Sequence, residues 1–202
     1  MLGPTDARRA HRELRALYEE RPEEAISSKW ARTSSSRVGA GDPVHGEVEV
    51  GRGYGVSLPF ALDEKVGGLG DGPNPGDLLC AALAACEDGT IRMVAGILGV
   101  QLEELEVQVA GDLDVRGTLG IDPDVRVGFE ELECSVTIRV APETDPRAVG
   151  RLMAAVERFC VNLDSLTKGV RITSLRSDAP VGPEKGRGLR ALPARGHGKG
   201  PP

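Results

Sequence analysis

The chain alternates polar and apolar residues in two stretches that predict β-structure. From 44 to 62, Glu47 and Glu49 alternate with Val48 and Val50, the period of a strand with one buried face. The glycine-rich run GRGYG divides this stretch into two strands. A second pair is predicted at 105–117 and 129–140, where every second residue is again apolar. The two pairs predict antiparallel sheets with one covered face each.

A helical period takes over between the two strand regions. Asn74 is a good N-cap, Pro75 stands at the first helical position and Gly99 supplies a C-terminal stop. We therefore predict a helix from 74 to 98. Its apolar face is predicted to comprise Leu79, Ala82, Leu83, Cys86, Thr90, Met93, Val94 and Ile97.

A second helix is predicted after the second pair of strands. It opens with Asp145 as N-cap and Pro146 in the first turn, and its apolar stripe continues without a break to Thr167. Cys160 lies on that stripe. A last short strand is predicted at 168–175. Helices and strands in this order indicate an α+β fold class.

The ends of the chain differ from this central part. A charged helix is predicted at 5–20, within an N-terminal helical extension covering 1–35. The domain itself is assigned to 36–177. The last segment, 178–202, is rich in Pro and Gly and carries five basic residues against two acidic ones. We predict that this tail is disordered.

Composition narrows the function classes. Of the 202 residues, 40% are hydrophobic and only 3% aromatic, and the net charge is −6, which argues against nucleic-acid binding. The longest apolar segment, 78–100, is interrupted by Glu87, Asp88 and Arg92, so no membrane span is expected. No signal peptide is visible. We therefore expect a cytoplasmic protein whose cysteines are thiols.

Metal and cofactor sites are not predicted. The chain has four cysteines, Cys80, Cys86, Cys134 and Cys160. They form no CxxC pair, and none is paired with a histidine at zinc-ligand spacing. The glycine-rich loop before the first long helix lacks the strand–GxGxxG–helix order of a dinucleotide site.

Cys86 and Cys160 allow two interpretations. Cysteine is among the most buried residue types, so both could be small core residues. Alternatively, each lies on the apolar face of one of two long helices, and crossing helices could bring the sulfurs together. Such a pair could accept an oxidant at one sulfur and resolve it with the other.

A reactive thiol needs a group that favours its thiolate form. Candidate cations are Lys65, Arg37 and Arg52, all N-terminal to the first long helix, although a charge of this kind is more often simply a solvated surface charge. Asp77, in the first turn of that helix, is most simply a partner of the helix dipole.

The cysteine motifs also carry a family likeness. The run GPNPGDLLCAALAAC, the strands around GDLDVRG and GFEELECSVTI, and the later FCVNLDSLTKGV resemble the OsmC/Ohr family over roughly 40–175. These are osmotically induced protein C and organic hydroperoxide resistance proteins. The resemblance implies an OsmC-like α+β fold in which antiparallel sheets pack with two long central helices in an intertwined homodimer.

The same resemblance implies an activity. Family enzymes are thiol peroxidases that reduce organic hydroperoxides, with a dithiol reductant that is typically lipoyl-linked. Carried over, Cys86 is the peroxidatic cysteine and Cys160 the resolving cysteine, and Asp77 is the nearest match to a carboxylate that orients an arginine over the thiol.

The chain departs from the family pattern at two positions. The second cysteine is usually followed by proline, and here Val161 follows Cys160; we expect valine to let the helix run on. A glutamate often follows the Asn-Pro helix start, and here that position is Gly76. These departures favour an alternative function, a non-catalytic protein of the same fold that binds an apolar ligand or senses redox state.

Overall fold

The protein is described here by a computed structural model, which describes residues 4–174. The predicted tail at 178–202 lies outside the described residues. Residues up to Val170 form one compact unit. It combines five α-helices and five β-strands with two short 3₁₀ turns, Pro22–Ala25 and Glu64–Val66, within the described range.

The first sheet has three antiparallel strands. They are β1 (Ala31–Thr33), β2 (His45–Val50) and β3 (Ser57–Ala61), in the spatial order β1-β2-β3. The predicted hairpin at 44–62 is confirmed, since β2 pairs with β3 from His45 opposite Ala61 to Glu49 opposite Ser57.

The second sheet pairs β4 (Leu102–Ala110) with β5 (Glu133–Val140). Half-buried and exposed residues alternate along both strands, as the period-two pattern predicts. The extension of the first strand to 117 is wrong. A short helix, α3 (Val115–Thr118), forms there because the Asp114 carboxylate accepts the N–H of Arg116 and caps it.

The long helices are α2 (Pro75–Leu98) and α4 (Pro146–Phe159). They pack on each other, and α2 also packs on β4, around a core of Ile91, Val94, Ala95, Val100, Ala148, Leu152 and Val156. This is the predicted arrangement of two long helices with antiparallel sheets.

The N-terminal helix α1 (Pro4–Glu20) packs against α2 of the same chain. Arg8 Nε donates to the carbonyl oxygen of Gly96 at 3.2 Å, and Ala7 lies beside Gly96. The extension therefore supports the C-terminal half of α2.

Two predictions about the last third of the domain are wrong. The helix predicted to run to Thr167 breaks at Cys160, and a separate helix, α5 (Val161–Lys168), follows. The strand predicted at 168–175 does not form over its described residues, because no strand of the described chain pairs with 169–174. Val170 remains 68% exposed.

Candidate functional site

The N-terminus of α2 is fixed by a capping box. Asn74 Oδ1 accepts the N–H groups of Gly76 and Asp77 at 2.7 and 3.1 Å, and the Asp77 carboxylate accepts the N–H of Asn74 at 2.8 Å. Pro75 occupies the first helical position, as predicted. The structure thus places Asp77 at the helix start, where its carboxylate closes the cap.

Cys86 lies three turns further along α2 and is half-buried. Its carbonyl oxygen accepts the Thr90 hydroxyl at 2.8 Å. The buried side of the helix is rotated from the predicted face: Met93, predicted inside, is 47% exposed, whereas Glu87 and Ile91 are buried. Cys86 therefore lies at the edge of the buried face and has access to solvent.

Cys160 lies where α4 ends and α5 begins, and its sulfur is fully buried with the rest of the residue. Its backbone is extended, with φ −71° and ψ 112°; its N–H bonds to the carbonyl of Val156 and its carbonyl accepts the N–H of Asp164. One residue thus closes one helix and opens the next. The expectation that Val161 lets the helix continue is wrong, because the break does not need a proline.

The α5 start is attached to α2 through Asn162. Its backbone N–H donates to Cys86 Sγ at 3.4 Å, and its side-chain Nδ2 donates to the carbonyl oxygen of Ala82 at 2.7 Å. Ala82 lies one turn before Cys86 on α2. The first turn of α5, which carries unpaired N–H groups and the positive end of the helix dipole, therefore points at the Cys86 sulfur.

The side chains of Cys86 and Cys160 lie beside each other, close enough for each thiol to influence the ionisation of its neighbour. Burial raises the pKa of the Cys160 thiol, and the neighbouring Cys86 raises it further, while the N–H groups of Leu163 and Asn162 oppose the shift. Cys160 is therefore held as a neutral thiol beside Cys86. Both are free thiols in this structure.

The three candidate cations lie elsewhere. Arg37 pairs with Glu47 at 2.6 Å, and the guanidinium of Arg52 lies 5.3 Å from the centre of the Trp30 ring. Lys65 lines a cavity of about 660 Å³ beside α2 and β4. That cavity is also lined by Asp77 and Cys80, on a different side of the helix from Cys86. The structure of the single chain does not bring these three side chains to the Cys86 sulfur.

A second pair, which the sequence did not reveal, joins the residue after Cys86 to β5. Glu87 is only 4% exposed, and its carboxyl group is hydrogen-bonded to the Cys134 thiol on β5. Burial raises the pKa of Glu87, and burial together with the carboxyl group raises the pKa of Cys134 to about 11. A signal was present: Glu87 is four residues from both Leu83 and Ile91, two of the most buried residues of α2.

The described residues contain no group of His, Cys, Asp and Glu side chains that could hold a metal ion. Within the same part of the chain, no helix is long and apolar enough to cross a membrane.

Comparisons with known proteins place this arrangement in a family. Residues 68–174, which include both long helices, α5 and all four cysteines, match the model of the family described as OsmC-like protein. No curated protein matches the chain.

Two solved structures share the fold. An OsmC-like protein of Vibrio cholerae aligns over 69% of this chain and 94% of its own length, with a TM-score of 0.56 and 12% identity. An OsmC-like protein of Mycoplasma pneumoniae aligns over 70% and 88%, with a TM-score of 0.53 and 15% identity. The family model spans more than half of the chain. The chain therefore belongs to the OsmC-like (OsmC/Ohr) protein family, as the resemblance of its cysteine motifs predicts.

Proposed function

We propose that the protein is a thiol-dependent peroxidase that reduces organic hydroperoxides through Cys86 and Cys160. The observation that carries the proposal is the contact of the two sulfurs at the start of α5. A peroxidatic thiol needs a second thiol within bonding reach and a group that favours the anionic form of the sulfur. The Asn162 N–H at 3.4 Å from Cys86 Sγ is such a group.

The first step takes place at Cys86, which is half-buried and therefore accessible to a small substrate. The Cys86 thiolate attacks the terminal oxygen of the hydroperoxide, a sulfur–oxygen bond forms and the oxygen–oxygen bond breaks. The sulfur is oxidised to a sulfenic acid, and the leaving alkoxide takes up a proton and departs as an alcohol.

The second step uses Cys160. Its sulfur attacks the Cys86 sulfenic acid, the new sulfur–sulfur bond replaces the sulfur–oxygen bond, and hydroxide leaves with the thiol proton as water. Because Cys160 is a buried neutral thiol in contact with Cys86, it is protected from the peroxide itself and available to the sulfenic acid.

A dithiol completes the cycle. One of its sulfurs attacks the Cys86–Cys160 disulfide, its second sulfur releases the mixed disulfide, and both protein thiols are restored. Cys86 is the more accessible of the two sulfurs and is therefore the expected point of attack. A lipoyl-linked dithiol is the reductant that the family resemblance implies.

The same proposal includes a homodimer. Two apolar side chains that flank Cys160 in sequence, Phe159 and Val161, are 52% and 69% exposed, and Leu166 on α5 is 42% exposed. A second copy that covers these side chains would complete an apolar entrance to Cys86, and it could also supply a cation. Light scattering after size-exclusion chromatography measures the oligomeric state directly.

A second candidate function, redox sensing, rests on the positions of the three predicted cations. Arg37 and Arg52 have partners away from Cys86, so in the described chain neither predicted arginine supplies the sulfur pair with the guanidinium that the family enzymes use. A sensor would form the Cys86–Cys160 disulfide with an oxidant but would not turn over.

Steady-state turnover separates the two functions. The full chain is mixed with cumene hydroperoxide and either dihydrolipoamide or glutathione, and peroxide loss is followed. The peroxidase predicts many turnovers with dihydrolipoamide and few with glutathione. Consumption of one equivalent of peroxide and no more, with either thiol, favours the sensor.

A further inference from the structure

We infer that Asn162 is the positioning residue of this site: its side chain clamps the start of α5 to α2 and so holds Cys160 against Cys86. This assignment rests on the proposed pairing of the two cysteines. Asn162 does not itself react with peroxide; its side-chain amide donates to the α2 backbone.

Asn162 makes two contacts with the same turn of α2. The side-chain amide donates to the Ala82 carbonyl oxygen at 2.7 Å, and the backbone N–H donates to Cys86 Sγ at 3.4 Å. Inside a regular helix the Ala82 carbonyl already accepts the N–H four residues on, so the amide uses its second lone pair. The clamp therefore adds a contact without breaking α2.

The clamp is needed because the helix break is otherwise weakly specified. Cys160 provides no side-chain oxygen to cap α5, and the break carries neither Gly nor Pro. A stripe of apolar residues at helical spacing runs through it and favours a continuous helix. The Asn162–Ala82 hydrogen bond ties the chain to α2 two residues after the break, and thereby fixes the position of Cys160.

The geometry also identifies a substitution that should replace the clamp. Val161 is the first residue of α5, is 69% exposed, and its N–H is one of those that a helix start leaves unpaired. The residue before it, Cys160, is already extended, which is the conformation that a following proline requires. Val161→Pro should therefore hold the helix break at Cys160 in place by restricting the backbone, without the Asn162 side chain.

The test measures how readily the two sulfurs form a disulfide, without any peroxide. Variants are built on Cys80→Ala, so that each of the tryptic peptides 66–92, 127–139 and 159–168 carries one cysteine. The reduced proteins are equilibrated with glutathione redox buffers, quenched and analysed by peptide mass spectrometry for the Cys86–Cys160 disulfide.

For Asn162→Ala we expect half-formation of the disulfide to require a roughly two- to tenfold more oxidising glutathione ratio, the equivalent of one hydrogen bond. Val161→Ala, at the neighbouring exposed position, is the matched control, and its disulfide should be half-formed at the same glutathione ratio as in the parent. Val161→Pro combined with Asn162→Ala should return towards the parent. An Asn162→Ala midpoint equal to that of Val161→Ala would overturn the inference, as would a failure of Val161→Pro to restore it.

If Asn162→Ala does not fold, Asn162→Asp takes its place. A carboxylate keeps the size of the side chain and suits a helix start, but it cannot donate to the Ala82 carbonyl, so the same shift is expected. The glutathione result is independent of turnover. A shift in a protein that consumes no hydroperoxide would contradict only the proposed function, and unshifted variants of an active peroxidase would contradict only the role of Asn162.

Discussion

Two adjacent residues of α2 face very different surroundings. Cys86 is half-buried, contacts Cys160 and faces the N–H of Asn162 at the start of α5. Glu87, the next residue, is buried beside the Cys134 thiol of β5, and burial together with this carboxyl group raises the pKa of Cys134 to about 11. Cys86 and Cys134 are thus not equivalent: the first sulfur meets a backbone N–H at a helix start, and the second is buried beside a carboxyl group.

The comparison separates chemistry from stability. Backbone N–H groups favour negative charge on a sulfur, whereas a carboxyl group and burial oppose it. We therefore expect substitutions at Cys86 and Cys160 to change reactivity, and substitutions at Glu87 and Cys134 to change the free energy of unfolding.

The largest expected effect is that of Cys86→Ser. The hydroxyl that replaces the thiol cannot form a sulfenic acid or a disulfide, so peroxide turnover with dihydrolipoamide should be lost. Thermal unfolding should change little, because the side chain is half-buried and nearly isosteric. Retained turnover would place the reactive sulfur elsewhere in the chain.

Cys160→Ser is expected to stop the cycle one step later. Cys86 should still be oxidised by one equivalent of hydroperoxide, but without a resolving thiol the sulfenic acid persists and reacts with dimedone. Mass spectrometry of peptide 66–92 checks this, with the parent chain as the control, in which the adduct should be scarce. Equal adduct in both proteins would mean that Cys160 does not resolve Cys86.

Cys134→Ala should show the opposite behaviour. Removal of the thiol leaves the Glu87 carboxyl group without its partner, so we expect a loss of about 1–3 kcal/mol in the free energy of unfolding, measured by urea denaturation. Turnover should stay within about twofold of the parent, which corresponds to a change of about 0.4 kcal/mol or less in the activation free energy of the reaction at Cys86. A large loss of turnover in a stable Cys134→Ala protein would make Cys134 part of the reactive set.

The smallest expected effect is the pH dependence that Glu87 imposes on stability. Burial raises its pKa in the folded protein above the ordinary value of 4.5. As pH rises, Glu87 therefore loses its proton in the unfolded chain before it does so in the folded protein. Its contribution to the free energy of unfolding falls as pH rises from 4.5 through the pKa of the folded protein. Glu87→Gln removes this titration while it keeps an oxygen that can accept the Cys134 thiol.

Urea midpoints of Glu87→Gln and the parent, measured at several pH values from 4.5 upwards, test this sign. The variant should gain stability relative to the parent as pH rises. A difference that is constant with pH, or that moves in the opposite direction, would show that burial does not raise the pKa of Glu87 in the folded protein.

The sequence predicted the parts of the fold that local chemistry determines. The start of α2 at Asn74 and Pro75 and its end at Gly99 follow from cap preferences within a few residues, and the β2–β3 hairpin follows from its period of two. The same reasoning identified Cys86 and Cys160, although their roles rest on the family resemblance.

The features that the sequence did not reveal depend on contacts between distant segments. The helix break at Cys160 is held by a bond from Asn162 to Ala82, 80 residues away, and no local signal announces it. The strand predicted after Lys168 has the right pattern but no partner strand in the described chain. The sequence shows Glu87 as an interruption of an apolar run. Its spacing from Leu83 and Ile91 is compatible with the buried face of α2, but its partner Cys134 is identified only when β5 is placed beside the helix.

The most direct test of the central claim is peptide mass spectrometry of the reduced full chain after addition of one equivalent of cumene hydroperoxide. The proposed mechanism predicts a rapid disulfide between peptides 66–92 and 159–168, located at Cys86 and Cys160, with Cys134 still a free thiol. Four untouched thiols, or slow oxidation spread over several cysteines, would contradict it.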